Sequence, residues 1–262
     1  MNVNRLQEGL HTKRFGKQVV FLREVGSTND AAKELADSGA AEGTVVVAES
    51  QTAGRGRLGR EWLSPRGGLY FSVILRPKLS AQEAVKLVFM AGLAAAEVAH
   101  EAYGLNVVTK WPNDVILEGR KLCGILSEMS IRGKDVSFVV LGFGVNANLN
   151  VRKTMPRPLR ESVASLSDEL GKKVELELLF RTLLQKLENL YDVFLHEGFA
   201  RILEKWKEHA NLGQVVMVTN GIEELSGVAV DVDDDGSLLV KLEEGPLKRV
   251  AVGDVSPQHG RT

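Results

Sequence analysis

The sequence predicts an α+β protein of two unequal domains, the second of them a small β domain. The chain has 262 residues, which exceeds a single domain of about 150 residues. Strand-like apolar runs and amphipathic helices are interspersed over the first 210 residues. Four or five short strands separated by glycine-containing turns follow within about 45 residues, a pattern typical of a small barrel. We therefore expect domains at residues 1–210 and 211–262.

Apolar runs and turn residues define the elements of the first domain. A helix over 29–36 begins after Ser27 or Thr28, which are good N-cap residues, and ends before Gly39. A long apolar helix over 81–102 ends near Gly104, and Pro77 closes the strand before it. The predicted strands span 19–23, 44–48, 69–75, 106–110, 115–117, 121–129 and 136–145.

Helices dominate the end of the first domain, and short strands make up the second. Leucines and aromatic residues recur at helical spacing over 176–194, and a second helix follows over 198–209. The later strands are predicted at 215–219, 226–232, 237–242 and 248–252. Their turns are Asn220-Gly221, Asp235-Gly236 and Glu244-Gly245-Pro246.

Composition excludes several classes of protein. The net charge is −1, which argues against bulk electrostatic binding to nucleic acid or to an anionic membrane. The longest apolar run, residues 87–96, has ten residues, about half of a membrane span. A single cysteine, Cys123, excludes a disulfide framework. With no signal peptide visible, we expect a cytoplasmic protein.

The richest segment for chemistry is residues 54–60, Gly-Arg-Gly-Arg-Leu-Gly-Arg, followed by Trp62. Glycines let the backbone bend around a ligand, and arginines bind carboxylate or phosphate. Trp62 would supply a flat apolar wall. The alternative is a flexible basic loop, such as an RNA-binding patch.

Two further segments place charged groups beside strands. In residues 110–114, Trp111 would form a pocket wall, and Asp114 would orient a nucleophile or a metal unless the segment is simply an Asn-Asp turn. Lys121 enters an apolar strand, so we expect it to meet an anion there. The alternative for Lys121 is a gatekeeper on an edge strand. Cys123 is expected to be a small core hydrophobe.

The remaining two segments are less specific alone. Glycines within residues 142–148 allow close approach of another group, and Asn146 can read a nucleobase edge, although a β-bulge is the alternative. Residues 26–29 place hydroxyls and an amide at a helix N-terminus, where polar ligand heads bind, although a simple N-cap is the alternative.

Taken in chain order, the five segments resemble the biotin protein ligase family. The matching residues are Ser27-Thr28-Asn29, Gln51, 54–60 with Trp62, 110–114, 119–124 and 142–146. The resemblance implies a mixed-sheet catalytic domain and an SH3-like C-terminal barrel. It implies that ATP, with Mg²⁺, activates biotin as biotinyl-5′-AMP, and that a lysine of a biotin carboxyl carrier protein then accepts the biotinyl group. It also implies a homodimer.

The resemblance assigns roles to individual residues, while the metal ligands stay unassigned. The implied catalytic residues are Lys121, Arg57 and Asp114. The implied biotin-binding residues are Ser27, Thr28, Asn29, Gln51, Gly54, Arg55, Gly56, Arg57, Lys121 and Gly124. The implied residues for ATP and the adenylate are Arg55, Arg57, Arg60, Trp62, Lys110, Asn113, Lys121 and Asn146.

Other functions stay open at this point. A lipoate or octanoate ligase of the same fold also transfers an acyl group to a carrier lysine, and a long apolar tunnel would favour it. Some biotin protein ligases carry an N-terminal DNA-binding domain of about 60 residues. Only about 18 residues precede the first predicted strand here, so we expect no DNA binding.

Overall fold

The computed structural model describes residues 1–219, 223–243 and 245–257. The first of its two sheets contains both parallel and antiparallel strands. Its strands are β1 (Val19–Leu22), β2 (Val45–Ala48), β3 (Leu69–Leu75), β4 (Val107–Lys110), β5 (Asp114–Leu117), β6 (Arg120–Arg132) and β7 (Asp135–Val145). The strand order is β1-β2-β3-β7-β6-β5-β4. Only β1 and β2 pair in parallel, while the other neighbours are antiparallel. The mixed sheet is confirmed.

Eight α-helices pack around this sheet in the described part of the chain. They are α1 (Val3–Gln7), α2 (Thr28–Asp37), α3 (Ala81–Ala84), α4 (Leu87–Tyr103), α5 (Val151–Thr154), α6 (Leu166–Leu170), α7 (Leu176–Glu197) and α8 (Phe199–Glu208). Helix α4 is apolar on nearly all sides because it lies against the sheet and also against α7 and α8. It ends at Gly104, whose positive φ of 67° suits a left-handed cap.

The single helix predicted over 81–102 is wrong, because the structure divides it into α3 and α4. The Ser80 side chain caps α3 by accepting from the Glu83 amide. The break follows from tight turns: the Lys86 amide donates to the Glu83 carbonyl, and the Phe89 amide donates to the Lys86 carbonyl. Such i to i−3 bonds tighten the chain relative to an α-helix and change its direction.

A second, antiparallel sheet occupies the C-terminal part. Its strands are β8 (Val215–Thr219), β9 (Glu224–Val232), β10 (Leu238–Leu242), β11 (Leu247–Val250) and β12 (Asp254–Pro257), in the order β11-β10-β9-β8-β12. Strand β12 was not predicted. The Asp235-Gly236 turn is confirmed, with Gly236 at φ +88°. The predicted turn at Asn220-Gly221, and Glu244 of the third predicted turn, lie outside the described residues.

One continuous apolar core joins the two sheets. Trp111, predicted to form a pocket wall, lines two cavities beside the main cleft and is buried at this junction, where its Nε1 donates to the Gly236 carbonyl at 2.9 Å. A buried indole needs an acceptor, and the turn of the second sheet supplies it. Phe89 packs edge-on against Phe199 and Trp206 beside this contact. Among the described residues, none of the helices has the length and apolar character required to span a membrane.

Candidate active site

The N-terminus of α2 forms one end of a cleft. The amide of Thr28 donates to Gln51 Oε1 at 2.8 Å, and the Thr28 hydroxyl donates to the same oxygen at 3.1 Å. Gln51 Nε2 donates to Ser64 Oγ at 2.7 Å, so both ends of this amide are fixed. Ser27 occupies the N-cap position, but its side chain makes no capping hydrogen bond. The Ser27 hydroxyl therefore does not serve as a helix cap.

Asn29 lies behind this end of the cleft rather than on its lining. Ser72 Oγ donates to Asn29 Oδ1 at 2.6 Å, and Asn29 Nδ2 donates to Glu128 Oε2 at 2.8 Å. A Cβ at Gly142 would lie 2.0 Å from Asn29 Oδ1, so glycine is required where Asn29 crosses β7. Asn29 therefore links β3 to β6 and packs against β7 beneath the polar end of the cleft.

The arginine-rich segment 54–60 folds back on itself above the cleft. The Gly56 amide donates to the Arg60 carbonyl at 2.7 Å, and the Trp62 amide donates to the Gly54 carbonyl at 2.9 Å. A Cβ at Gly54 would lie 2.4 Å from the Trp62 carbonyl oxygen, so only glycine fits there. Close backbone packing within the segment therefore accounts for the glycine at position 54.

The three arginines of this segment have three different surroundings. Arg55 contacts two carboxylates outside the cleft. Arg57 is half-buried and donates to Asn113 Oδ1 at 3.3 Å. Burial lowers the pKa of Arg57, the charge of Asp114 opposes this effect, and the charge of Arg60 adds to it. Arg60 forms an ion pair with Asp254 of β12, so the C-terminal sheet contributes to the cleft.

Lys121 is the second residue of β6, and its side chain projects into the cleft. Its Nζ lies 2.7 Å from Asp114 Oδ1 on β5 and 5.1 Å from the centre of the Trp62 ring. The expectation of an anionic partner is confirmed, and this partner is Asp114. The alternative of an edge-strand gatekeeper is wrong, because β6 lies between β7 and β5.

Glycines form the floor beneath Trp62. A Cβ at Gly144 would lie 2.4 Å from Trp62 Nε1, and one at Gly124 would lie 2.9 Å from the same indole. The predicted close approach within residues 142–148 is confirmed at Gly144, and the approaching group is Trp62. Cys123, between these glycines and the core, is buried, and burial raises its pKa to about 12. Its neutral thiol is a core hydrophobe, as predicted.

The cavity within this cleft measures about 110 Å³. Twelve of the predicted site residues line it: Ser27, Thr28, Gln51, Arg55, Gly56, Arg57, Arg60, Trp62, Asn113, Asp114, Lys121 and Gly124. Asn29 and Gly54 lie just behind this lining. Asn146 is buried, and its Nδ2 donates to the Lys121 carbonyl at 3.0 Å. Lys110 faces a separate cavity between the two sheets, where burial lowers its pKa.

Several residues of the site were not predicted from the sequence. Glu128 and Asp30 hold Arg55, and Ser72 orients Asn29. Glu128 carried a signal, since an acid within an apolar strand needs a partner. Asp254 had no such signal in the sequence, because its strand was not predicted and its partner Arg60 lies 194 residues away.

Arg57 and Lys121 place two cations in one cleft of a mixed sheet, an arrangement that suits anionic small molecules. The pattern of the biotin/lipoate A/B protein ligase family matches residues 21–146, and the biotin protein ligase C-terminal domain matches residues 212–256. The bifunctional ligase/repressor BirA of Bacillus subtilis is 34% identical over 97% of this chain and 78% of its own length.

Two further relatives agree with this match. The biotin–[acetyl-CoA-carboxylase] ligase of Paracoccus denitrificans is 34% identical over 88% of this chain and 96% of its own. The biotin protein ligase of Aquifex aeolicus, solved with biotin and ATP, superposes with a TM-score of 0.79 at 30% identity, covering 92% of this chain and 98% of its own. The chain belongs to the biotin protein ligases of this family.

Proposed function

We propose that this protein is an ATP-dependent ligase that activates biotin as biotinyl-5′-AMP and transfers it to a lysine of a biotin carrier protein. The observation that carries this proposal is the placement of Arg57 and Lys121 in one cleft with the fixed polar groups of Thr28 and Gln51. Relatives named as biotin–[acetyl-CoA-carboxylase] ligases, and one solved with biotin and ATP, support it.

The polar end of the cleft suits the head of biotin, a ureido group on an apolar ring. The cleft wall there combines the hydroxyls of Ser27 and Thr28 with the Gln51 amide, and Phe143 adds an apolar surface. Fixed donors and acceptors bind such a group without first losing rotational freedom. In this proposal Asn29 supports the wall through Ser72 and Glu128.

The other part of the cleft suits the reacting centre. A biotin carboxylate oxygen attacks the α-phosphorus of ATP, the bond to the bridging oxygen breaks, and pyrophosphate leaves. Both reactants are anions, so their approach is repulsive unless cations lie beside them. Lys121 and Arg57 would stabilise the charge that develops on the phosphorus oxygens. The resemblance to the family also predicts that Arg55 lies beside the carboxylate and the phosphate.

In the second step, the amine of the carrier lysine attacks the carbonyl carbon of the mixed anhydride. The bond to the AMP oxygen breaks, AMP leaves, and the amine loses a proton. We propose Asp114 as the proton acceptor, because its carboxylate lies in the cleft beside Lys121. Once Lys121 contacts phosphate oxygens, this carboxylate is released for that role.

The nucleotide would extend towards Trp62 and Arg60, with Asn113, Lys110 and Asn146 as further predicted contacts. We propose that Mg²⁺ enters with ATP. In the described part of the chain, no group of three or more acidic, histidine or cysteine side chains is arranged to hold a metal.

We also propose the partners and organisation expected from the family. The carrier is a biotin carboxyl carrier domain, and the protein acts in the cytoplasm as a homodimer, which light scattering can test. The catalytic and C-terminal domains are residues 1–210 and 211–262. The match of a separate C-terminal domain to residues 212–256 supports this division.

The test is ATP–pyrophosphate exchange with biotin and lipoate measured side by side. Exchange with biotin alone supports the proposal, and a purified carrier domain then tests transfer. Exchange with lipoate alone, or with neither acid, contradicts it. RNA binding is disfavoured because Arg55 is engaged by carboxylates and Arg57 is half-buried in the cleft.

A further inference from the structure

Four charged side chains form a compact cluster beside the cleft, which we call the Arg55 latch: Asp30, Lys33, Arg55 and Glu128. Arg55 donates to Asp30 Oδ2 at 2.8 Å and to Glu128 Oε2 at 2.9 Å. Lys33 Nζ lies 2.9 Å from Glu128 Oε1 and 3.0 Å from Asp30 Oδ1. Each cation therefore contacts both acids, and α2, β6 and the arginine-rich segment meet at this point.

The latch is electrically balanced. Two cations face two anions, so the charge of Arg55 is compensated within the cluster. Burial alone would raise the pKa of Glu128, but hydrogen bonds from Asn29 and Lys33 and the charges of Lys33 and Arg55 hold it below its ordinary value. A guanidinium that is already paired with carboxylates attracts a further anion only weakly. Its hydrogen bonds to those carboxylates hold the segment that carries it in place.

Glu128 also connects the latch to the polar end of the cleft. Its Oε2 accepts from Asn29 at 2.8 Å as well as from Arg55 at 2.9 Å. Asn29 in turn accepts from Ser72, whose Oγ lies 2.8 Å from the hydroxyl of Thr28. A single oxygen, Glu128 Oε2, thus links the groups beneath the proposed biotin head to the arginine-rich segment.

We propose that Glu128 is a positioning residue that fastens residues 54–60 through Arg55 and couples their order to the occupancy of the Thr28 and Asn29 end of the cleft. In this role the Arg55 side chain is an anchor and not a ligand of the reacting oxygens. The coupling to biotin rests on the proposed function. The fastening of the segment does not, because its contacts join only side chains of this chain.

Hydrogen–deuterium exchange of the full-length protein tests the fastening first, without ligand. We expect Glu128→Gln to accelerate amide exchange over residues 54–62 by about fivefold, a value reduced for the partial exposure of both partners. Glu97→Gln is the matched control, because Glu97 also pairs with a lysine, Lys186, at 3.0 Å, on helices remote from the cleft. Unchanged exchange of residues 54–62 in Glu128→Gln would overturn the proposal.

A double-mutant cycle separates the latch from a general loosening of the sheet. We expect Glu128→Gln to have little further effect on residues 54–62 once Arg55→Gln is present, because both changes break the same contact. Additive effects would contradict the latch. If Glu128→Gln fails to fold, Arg55→Lys tests the same contact, since a single ammonium cannot reproduce the fork that spans both acids. Unchanged exchange in Arg55→Lys would also overturn it.

Saturating biotin tests the coupling. We expect biotin to slow exchange over residues 54–62 in the unaltered protein and to slow it less in Glu128→Gln, while residues 27–30 respond in both. Equal slowing of residues 54–62 in the two proteins would refute the coupling. If biotin changes no peptide at all, the proposed function fails, whereas the ligand-free measurements still decide whether the latch exists.

Discussion

Replacing Lys121 with alanine tests the reacting centre most directly. The change removes the Nζ that lies 2.7 Å from Asp114 Oδ1 and 5.1 Å from the centre of the Trp62 ring. The Lys121 side chain is 32% exposed, so it is held in place but can still reach a ligand. The backbone of β6 stays paired with β5 and β7, because the amide and carbonyl of Lys121 are untouched.

The expected losses of stability and of activity differ greatly in size. A partly exposed ion pair contributes about 1–2 kcal/mol after allowance for solvent, and a loss of that size lowers the melting temperature of a chain this long by about 3–6 °C. Removing a group that stabilises developing charge in a cleft costs about 100- to 1,000-fold in rate. The variant should therefore remain folded at 25 °C and lose adenylate formation.

Biotin-dependent ATP–pyrophosphate exchange measures this loss, and thermal unfolding measures the stability. Lys186→Ala is the matched control, because Lys186 is 23% exposed and pairs with Glu97 and Glu101 away from the cleft. It should lose similar stability and keep full exchange. Exchange by Lys121→Ala within about threefold of the unaltered protein would refute the role of Lys121, given that removal of such a group costs 100-fold or more.

Three further outcomes follow from other contacts. Arg57→Gly, which removes the half-buried guanidinium above the cleft, should release the adenylate and biotinylate bystander proteins; labelling confined to the carrier on a streptavidin blot would count against this. Trp111→Phe removes the 2.9 Å hydrogen bond to Gly236 and should lower the free energy of unfolding by about 1–3 kcal/mol in urea titration, and an unchanged midpoint would argue otherwise. Since burial raises the pKa of Cys123 to about 12, its neutral thiol should resist iodoacetamide at pH 8 until the protein unfolds; rapid alkylation of the native protein would contradict its burial.

The sequence predicted the larger elements of the fold because each has a local cause. Gly104 ends α4 by adopting a left-handed conformation, and the nearly continuous apolar run over β7 matches its buried position. The break between α3 and α4 was missed, because no proline or glycine marks residues 85–86 and the helical pattern of apolar residues continues across them. Strand β12 was missed because four residues carry too little periodicity.

The lining of the cleft could be predicted in large part, but the links between its residues could not. Glycines and arginines in 54–60 marked a ligand-binding segment by composition alone. The partners of Arg55 and Arg60 depend on which strands become neighbours, a property of the sheet rather than of any local pattern. The hydrogen bond of Trp111 could not be predicted for the same reason, since its acceptor Gly236 lies 125 residues further along the chain.

The pairing of charges explains how a nearly neutral chain can accept two anions. Arg55 is compensated by the latch, Arg60 by Asp254, and Lys121 by Asp114. Within residues 1–219, 223–243 and 245–257, Arg57 is the one cation among these four without a carboxylate within 4.0 Å. In the proposed mechanism, an entering carboxylate or phosphate meets Arg57 first and then competes with Asp114 for Lys121. We propose that this exchange of partners frees a base beside the reacting centre as it supplies a second cation, and that it serves both steps.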